Sequence, residues 1–413
     1  MTKIRGFKGY RPKPGLEGEI ASLPYDVMNS AEAKERSAGN KHSFLRVIKP
    51  EVDLEDGINL YDDKVYSQAR KNLDEFIGEG YLINDEEPSI YFYRQTWKGR
   101  SQTGIVACSN IEDYFEDVIK KHEYTRPVKE EDRIRHMATL EAHVGPVFLT
   151  YKNVAAIDEL VASYCETNTA TYDFSPDEVQ HTLWVVNDAE LISKIENLFD
   201  QNVPATYIAD GHHRAASSAK VGQRLKEANS NHKGDEEYNY FLSVLFPDNQ
   251  LEIIDYNRLV KDLNGLSKEE FFAKAKEKFD VELKGSEAYR PQSIREFGLY
   301  IDKEWYKLTA KPGTWTNDPV GILDISVLTE NMIKPIFGIE DQRTSDRIDF
   351  VGGIRGLGEL EKRVDSGDVA IAIALYPVTI QQLIDIADSG QVMPPKTTWF
   401  EPKLRSGLVI HKF

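Results

Sequence analysis

The segment Thr206-Tyr-Ile-Ala-Asp-Gly-His-His-Arg-Ala215 constrains the fold more than any other stretch of this chain. An apolar, strand-like run from Thr206 to Ala209 ends at Asp210-Gly211. Ala215-Ala-Ser-Ser-Ala219 then reads as the first turns of a helix. Only a sharp turn can join the two, and Gly211, which has no Cβ, accepts the positive φ such a turn needs. The spacing predicts strand, tight turn and helix over 206–220, a unit of α/β folds. The first N–H groups of such a helix have no internal partner. They attract anions, phosphate above all. Arg214 adds a fork that binds phosphate in bidentate fashion. Asp210 stands where a metal ligand or a general base would meet that phosphate. Neighbours at a helix start point about 100° apart, so His212 and His213 cannot both face a core. A plainer reading has Asp210 capping the helix and Arg214 pairing with a carboxylate.

With 413 residues the chain is long enough for two or three domains and a large core. A net charge of −17 argues against a broad basic face, so no DNA partner is expected. Two cysteines, Cys108 and Cys165, exclude a disulfide framework and a four-thiolate zinc site. No apolar run reaches the ~18 residues of a membrane span. The start, Met1-Thr-Lys-Ile-Arg-Gly-Phe7, has no signal-peptide character. The expectation is a cytoplasmic protein without membrane contact.

Along the chain, Ser30 reads as an N-cap and Ser43–Ile48 as a strand ended by Pro50. Tyr61, Val65, Ala69, Leu73 and Phe76 mark an amphipathic helix over 60–78. Ser89–Thr96 and Gln102–Cys108 predict a hairpin around Lys98-Gly99. Gly145–Tyr151 and His181–Val186 read as strands, with helices near 154–165 and 188–200. Tyr238–Phe246 and Leu251–Tyr256 read as strands around the turn Pro247–Gln250. Between them all lies a charged segment, 120–136. Pro127 breaks it, so Lys121–Thr125 is expected in a loop. A charge run is normally a solvated face. This loop, however, packs Lys121, His122 and Glu123 together, which suits acid–base work. They are therefore expected near Asp210.

The last third has two dense stretches. Asp346–Gly356 holds glycines that fit neither a dinucleotide fingerprint nor a P-loop, and that serve equally as turn residues. Met393–Gly407 is Pro-rich coil carrying Lys396, Glu401, Lys403 and Arg405. Such ordered, charged coil forms either a site wall or a domain-clasping tail. The expected division is a phosphate-site domain over 1–260, with inserted helices and the charged loop, and a C-terminal α/β domain over 261–413. No low-complexity linker marks the border.

Several motifs occur in order: Leu23-Pro-Tyr-Asp-Val27, Ser43-Phe-Leu-Arg-Val-Ile-Lys-Pro50, Tyr93-Arg-Gln-Thr96, Lys121-His-Glu-Tyr-Thr125, Ala209-Asp-Gly-His-His-Arg214, Arg347-Ile-Asp-Phe-Val-Gly-Gly353, Met393-Pro-Pro-Lys396 and Trp399–Gly407. On these the chain resembles a family of uncharacterised bacterial and archaeal proteins, domain of unknown function 1015. The Gly211-His-His-Arg214 element is also similar to the phosphate-holding turn of the ParB/sulfiredoxin-like fold. Within that fold it looks most like the motif of archaeal ADP-dependent free serine kinases, which make O-phosphoserine and AMP from serine and ADP. The family's suggested association with serine biosynthesis points the same way.

The resemblance implies an α/β (α+β) protein with a ParB/sulfiredoxin-like core, insertions and a C-terminal α/β region. It implies a small-molecule phosphotransferase using ADP or ATP and Mg²⁺ on free serine or O-phosphoserine. Asp210, Gly211, His212, His213 and Arg214 would form the phosphate and metal pocket, with Asp210 on the metal. Lys121 and Lys396 are further candidate phosphate ligands. Asp26, His122 and Glu123 join Asp210, His212 and His213 as candidate acid–base groups. No residue matches the acidic base of the serine kinases by motif. Two other readings remain: a metal-dependent phosphoserine phosphatase, with His212, His213 and Asp210 on a transition metal, and a non-enzymatic nucleotide-binding regulator.

Overall fold

The computed structural model describes residues 1–413 and is a mixed α/β structure. It divides into two compact units, one of 1–251 with 402–413 and one of 252–401. The sequence reading put the border near 260 and assigned the tail to the C-terminal part. The chain instead returns, after Glu401, to the unit in which it began.

The first unit is built on a nine-stranded sheet. Its order runs Ile119–Lys120, Thr206–Asp210, Val147–Tyr151, Tyr240–Pro247, Arg100–Asn110, Ile90–Trp97, Gln180–Val186, Tyr172–Phe174, with Ile4–Arg5 alongside Arg100–Asn110. The sheet is mixed: Thr206–Asp210 runs parallel to Ile119–Lys120, and Tyr240–Pro247 parallel to Val147–Tyr151. Ile90–Trp97 and Arg100–Asn110 form the expected hairpin. Its two-residue turn puts Lys98 at φ 49° and Gly99 at φ 76°, the left-handed pair that matches strand twist.

One face of the sheet packs on helices Ala155–Thr167 and Ala189–Asn202. Ile157, Val161, Ile192, Ile195 and Phe199 meet Phe92, Leu149, Trp184 and Ile208 there. Alternation along each strand delivers these side chains to one face. A second core lies among the N-terminal helices, where Phe44, Val47, Ala69, Leu73 and Phe76 pack with Leu140 and Ile410.

Two local expectations need correction. Ser43–Ile48 is not a strand: Leu45–Ile48 is a short helix. Phe44, Leu45, Val47 and Ile48, all buried, follow helical spacing rather than alternation. The helix cap is Asn29, not Ser30; Asn29 and Glu32 form a reciprocal capping box.

The second unit carries a six-stranded antiparallel sheet that includes Tyr256–Val260 and Ile348–Gly352. Leu251–Tyr256 therefore does not turn back along Tyr240–Pro247. Ile253–Ile254 pairs with Trp399–Phe400 instead, and Tyr256 starts a strand of the second sheet. The glycines near 350 serve packing. A Cβ on Gly352 would lie 2.7 Å from the Trp399 ring, and one on Gly353 would lie 2.3 Å from the Asp255 carboxylate. Lys396 belongs to this unit, with its ammonium 6.0 Å from the centre of the Tyr256 ring. No helix is long and apolar enough to cross a membrane.

The returning tail is tied to the first unit at several points. Ser406 bridges to Ser22 and Ile410 to Tyr10, and His411–Lys412 pairs with Ala142–His143. Arg405 is buried, donates to His181 at 3.2 Å and is ion-paired with Asp177. Gln95, fully buried, donates to the Lys403 carbonyl at 2.9 Å. Removing residues 402–413 is therefore expected to abolish cooperative urea unfolding of the first unit, read by far-UV circular dichroism. A full-length-like midpoint in the truncated protein would show the tail to be dispensable.

Candidate active site

The Thr206–Asp210 strand pairs with Val147–Tyr151, and its register slips between Ile208 and Asp210. A bulge of this kind re-aims the residue that follows it. Gly211 then adopts φ 93° and ψ 34°, and helix His212–Ala228 begins at once. This is the strand, turn and helix that the spacing predicted.

Gly211 is constrained twice. Its φ is left-handed, and a Cβ there would sit 2.9 Å from Arg214 Nε and 3.1 Å from its Cζ. Arg214 lies folded over the turn. It is buried, donates through Nη1 to the Pro146 carbonyl and has Nη2 3.6 Å from Asp210 Oδ2. Its Nε has no hydrogen-bond partner.

A second cation reaches the same carboxylate oxygen. Lys403 Nζ, from the returning tail, is 3.4 Å from Asp210 Oδ2. Asp210 Oδ1 accepts from the Gly211 N–H at 3.0 Å. Burial raises the pKa of the Asp210 carboxyl, but Lys403 and Arg214 outweigh it and hold the group down at about 2. Asp210 is therefore a fixed anion that holds two cations at the helix start.

Imidazoles fill the other side. The parallel pairing of Ile119–Lys120 with Thr206–Tyr207 brings the Lys121–Thr125 loop to the helix terminus. The His122 ring meets the His212 ring edge to face, with centroids 4.4 Å apart. Both His122 ring nitrogens are buried without a partner. Burial drives its pKa down to about 4, with Asp210 opposing. His212 is pushed well below its ordinary value by burial and by His122. His213 Nε2 accepts from the Arg126 N–H at 3.0 Å.

The remaining candidates are placed as follows. Lys121 donates to the Tyr114 carbonyl at 3.0 Å, and its charge acts on His212. Glu123 is exposed on the same loop. Asp26 is exposed in the turn Tyr25–Val27, where its charge acts on Tyr25. Lys403, in direct contact with Asp210, is the residue that motif reading passed over. Its signal was a charged, Pro-rich coil with no strand or helix of its own.

The donor set does not suit Mg²⁺ in the place expected for it. Mg²⁺ needs oxygen ligands. Asp210 is the carboxylate here, and Lys403, Arg214 and the Gly211 N–H already take both its oxygens. Nor do His212, His213 and Asp210 converge on a transition metal. His213 Nε2 is spent on Arg126, and no group of three or more His, Cys, Asp and Glu is placed to hold a metal ion.

A profile of a protein family of unknown function, DUF1015, matches residues 4–326. The chain belongs to the DUF1015 family. Three of the recognised motifs, from Arg347 onward, lie beyond the matched span. No curated protein matches this DUF1015 chain. Among solved structures, a mutant free serine kinase in complex with AMP aligns with a TM-score of 0.36 at 12% identity, covering 72% of this chain and 86% of that one. A conserved hypothetical protein from Pyrococcus furiosus gives 0.35 at 12% identity, covering 73% and 93%. C-terminally truncated SbnI from Staphylococcus aureus gives 0.32 at 9% identity, covering 73% and 85%.

Two predictions follow from this geometry. Gly211→Ala combines a disfavoured φ with a clash on Arg214, and is expected to cost about 1–3 kcal/mol in urea unfolding. The Arg214 guanidinium must shift to make room for the added methyl group. An unchanged unfolding midpoint would contradict the argument. The second prediction concerns acid. His122 folds with a pKa of about 4 against an ordinary 6.5, so the unfolded chain binds its proton more tightly. Its contribution is full above pH 6.5 and is lost as pH falls toward 4, by roughly 3 kcal/mol at the low end. Burial also lowers His136 and His181, each to about 3, which adds in the same direction. Denaturant midpoints measured from pH 7.5 to 4 should fall steeply below 6.5, and less so in His122→Gln. A flat profile would show that these rings are not buried in their neutral form.

Proposed function

We propose that this DUF1015 protein is a small-molecule phosphotransferase acting on free serine or O-phosphoserine, with ADP or ATP as nucleotide. The observation that carries this reading is the helix start at Gly211, with Arg214 and Lys403 gathered around it by Asp210. Phosphoryl transfer needs positioned positive charge more than covalent chemistry. Free N–H groups at the helix terminus, a guanidinium and an ammonium would together receive the phosphate oxygens.

In the forward direction the acceptor hydroxyl oxygen forms a bond to the transferred phosphorus. The bond from that phosphorus to the bridging oxygen breaks, and the shortened nucleotide leaves with its electron pair. The hydroxyl proton needs an acceptor. Asp210, held at about 2 and bound to two cations, is a poor base. His122 is neutral at pH 7, lies against His212 and keeps both nitrogens unspent. We assign it the proton. Any Mg²⁺ would enter with the nucleotide phosphates and neutralise them. The phosphatase reading draws no support from the site, because His212 and His213 do not converge with Asp210.

The test is incubation with ADP or ATP, serine and Mg²⁺, with phosphoserine read by ³¹P NMR. Asp210→Asn, Arg214→Ala and Lys403→Met are each expected to cut the rate at least about 100-fold, the scale seen when an electrostatic stabiliser is removed. His122→Gln should lower kcat more than it raises KM. Near-wild-type rates in Arg214→Ala and Lys403→Met would remove this site from the reaction. Nucleotide binding with no turnover of serine or phosphoserine would instead favour the regulator.

A further inference from the structure

Two sequence motifs outside the Asp210 site and the helical part of the charged segment line one cleft that also reaches Arg214. Leu23–Val27 supplies Tyr25, Ser43–Pro50 supplies Ile48 and Lys49, and the charged segment supplies Arg133 and His136. The cleft has two adjoining parts, which share Tyr25, Ile48, Arg133 and His136. Arg214 lines the first part, so one guanidinium borders both the cleft and the Asp210 site. Lys49, Glu51, Tyr66 and Asp132 line the second.

Two charge pairs stand on this wall, and Lys129 and Arg214 add further positive charge. Asp132 takes two hydrogen bonds from Arg133, at 3.1 and 2.8 Å, on one oxygen and one from Tyr66 at 2.9 Å on the other. Lys49, buried, is 3.0 Å from Glu51 Oε1, which also accepts from Ser30 at 2.8 Å. Arg133 spends Nε and Nη2 on Asp132, which leaves Nη1. Lys49 keeps two N–H donors, and Glu51 keeps Oε2. The guanidinium of Arg133 also lies 4.2 Å from the centre of the Tyr25 ring, which fixes it in place. His136 donates through Nε2 to the Val47 carbonyl at 2.9 Å, and burial holds the ring neutral, so it adds no charge.

We propose that this cleft binds a small zwitterion, a molecule carrying a carboxylate and an ammonium on one carbon, and seats it for the phosphate site. The unspent donors of Arg133 and Lys49 suit the carboxylate, and Glu51 Oε2 suits the ammonium. The lining cations Lys49, Lys129, Arg133 and Arg214 attract a carboxylate, and Glu51 among them penalises a ligand that brings no ammonium, because its charge then stays unpaired. The cleft's end at Arg214 puts the far end of the ligand beside the phosphate groups. This assignment deepens the phosphotransferase reading by giving its acceptor a place, and it rests on that reading only for the final step.

The experiment is calorimetric titration of the full chain, without nucleotide, by L-serine, by glycerate and by ethanolamine. Glycerate has a hydroxyl where serine has its ammonium, and ethanolamine lacks the carboxylate. Serine should bind saturably, and each analogue about tenfold or more weaker. Glu51→Gln should weaken serine while leaving glycerate unchanged. Lys49→Gln should weaken serine and glycerate but not ethanolamine. Circular dichroism of both variants separates loss of binding from loss of fold. No serine binding, or equal binding of all three probes, overturns the proposal. Serine binding without phosphoserine formation would keep the cleft and sink the phosphotransferase. Phosphoryl transfer to an acceptor lacking the ammonium would do the reverse.

Discussion

The contact on which the site depends is the meeting of Asp210 with Lys403 and Arg214. One carboxylate oxygen faces two cations, at 3.4 and 3.6 Å. Taking three charges out of water together is tolerable only because each offsets another. The arrangement also joins distant parts of the chain. Arg214 comes from the helix that follows Asp210, whereas Lys403 arrives 193 residues later on the tail. Without the tail, Asp210 would lose one of its two cations, and the helix start would lose half of its positive charge.

Everything else at the site follows from how that contact is framed. The bulge before Asp210 and the left-handed Gly211 set the carboxylate and the first helical N–H groups on one side. The short parallel strand Ile119–Lys120 then delivers His122 to the opposite side. The two sides have different electrostatic character. One is charged, with Asp210 facing Lys403 and Arg214. The other is a pair of neutral, buried rings, with two nitrogens left unpartnered on His122. Buried polar atoms without partners are uncommon because they cost stability, so the pair on His122 beside this helix start marks the place as a candidate for chemistry.

The second unit teaches a different lesson. Its glycine-rich stretch near 350 fits neither a dinucleotide fingerprint nor a P-loop, and its glycines serve equally as turn residues. Gly352 and Gly353 are there because Trp399 and the Asp255 carboxylate lie against them, too close for a side chain. Arg258 is fully buried and held by Gln342 and by the carbonyls of Tyr256 and Pro395. Burial lowers its pKa to about 9. The guanidinium stays charged at neutral pH and braces the Pro-rich coil, which has no ladder of its own to order it.

The amino-acid sequence by itself determined the local units. An apolar run, Asp-Gly and an alanine-rich run dictate strand, turn and helix, because those preferences act within a few residues. The Lys98-Gly99 hairpin and the 60–78 helix follow in the same way, and so does the breaking of the charged segment at Pro127. Ser43–Ile48 is the exception: its apolar residues follow helical spacing, and Leu45–Ile48 is a short helix rather than a strand. Tertiary structure alone decided which residues meet. It brought His122 to His212, Lys403 to Asp210, and Tyr25, Lys49 and Arg133 to one cleft. It also returned residues 402–413 to the first unit. The reason is physical: periodicity and turn chemistry report the path of the chain over ten residues. The pairing of charges 193 residues apart depends on sheet order and on where the last segment finds buried partners.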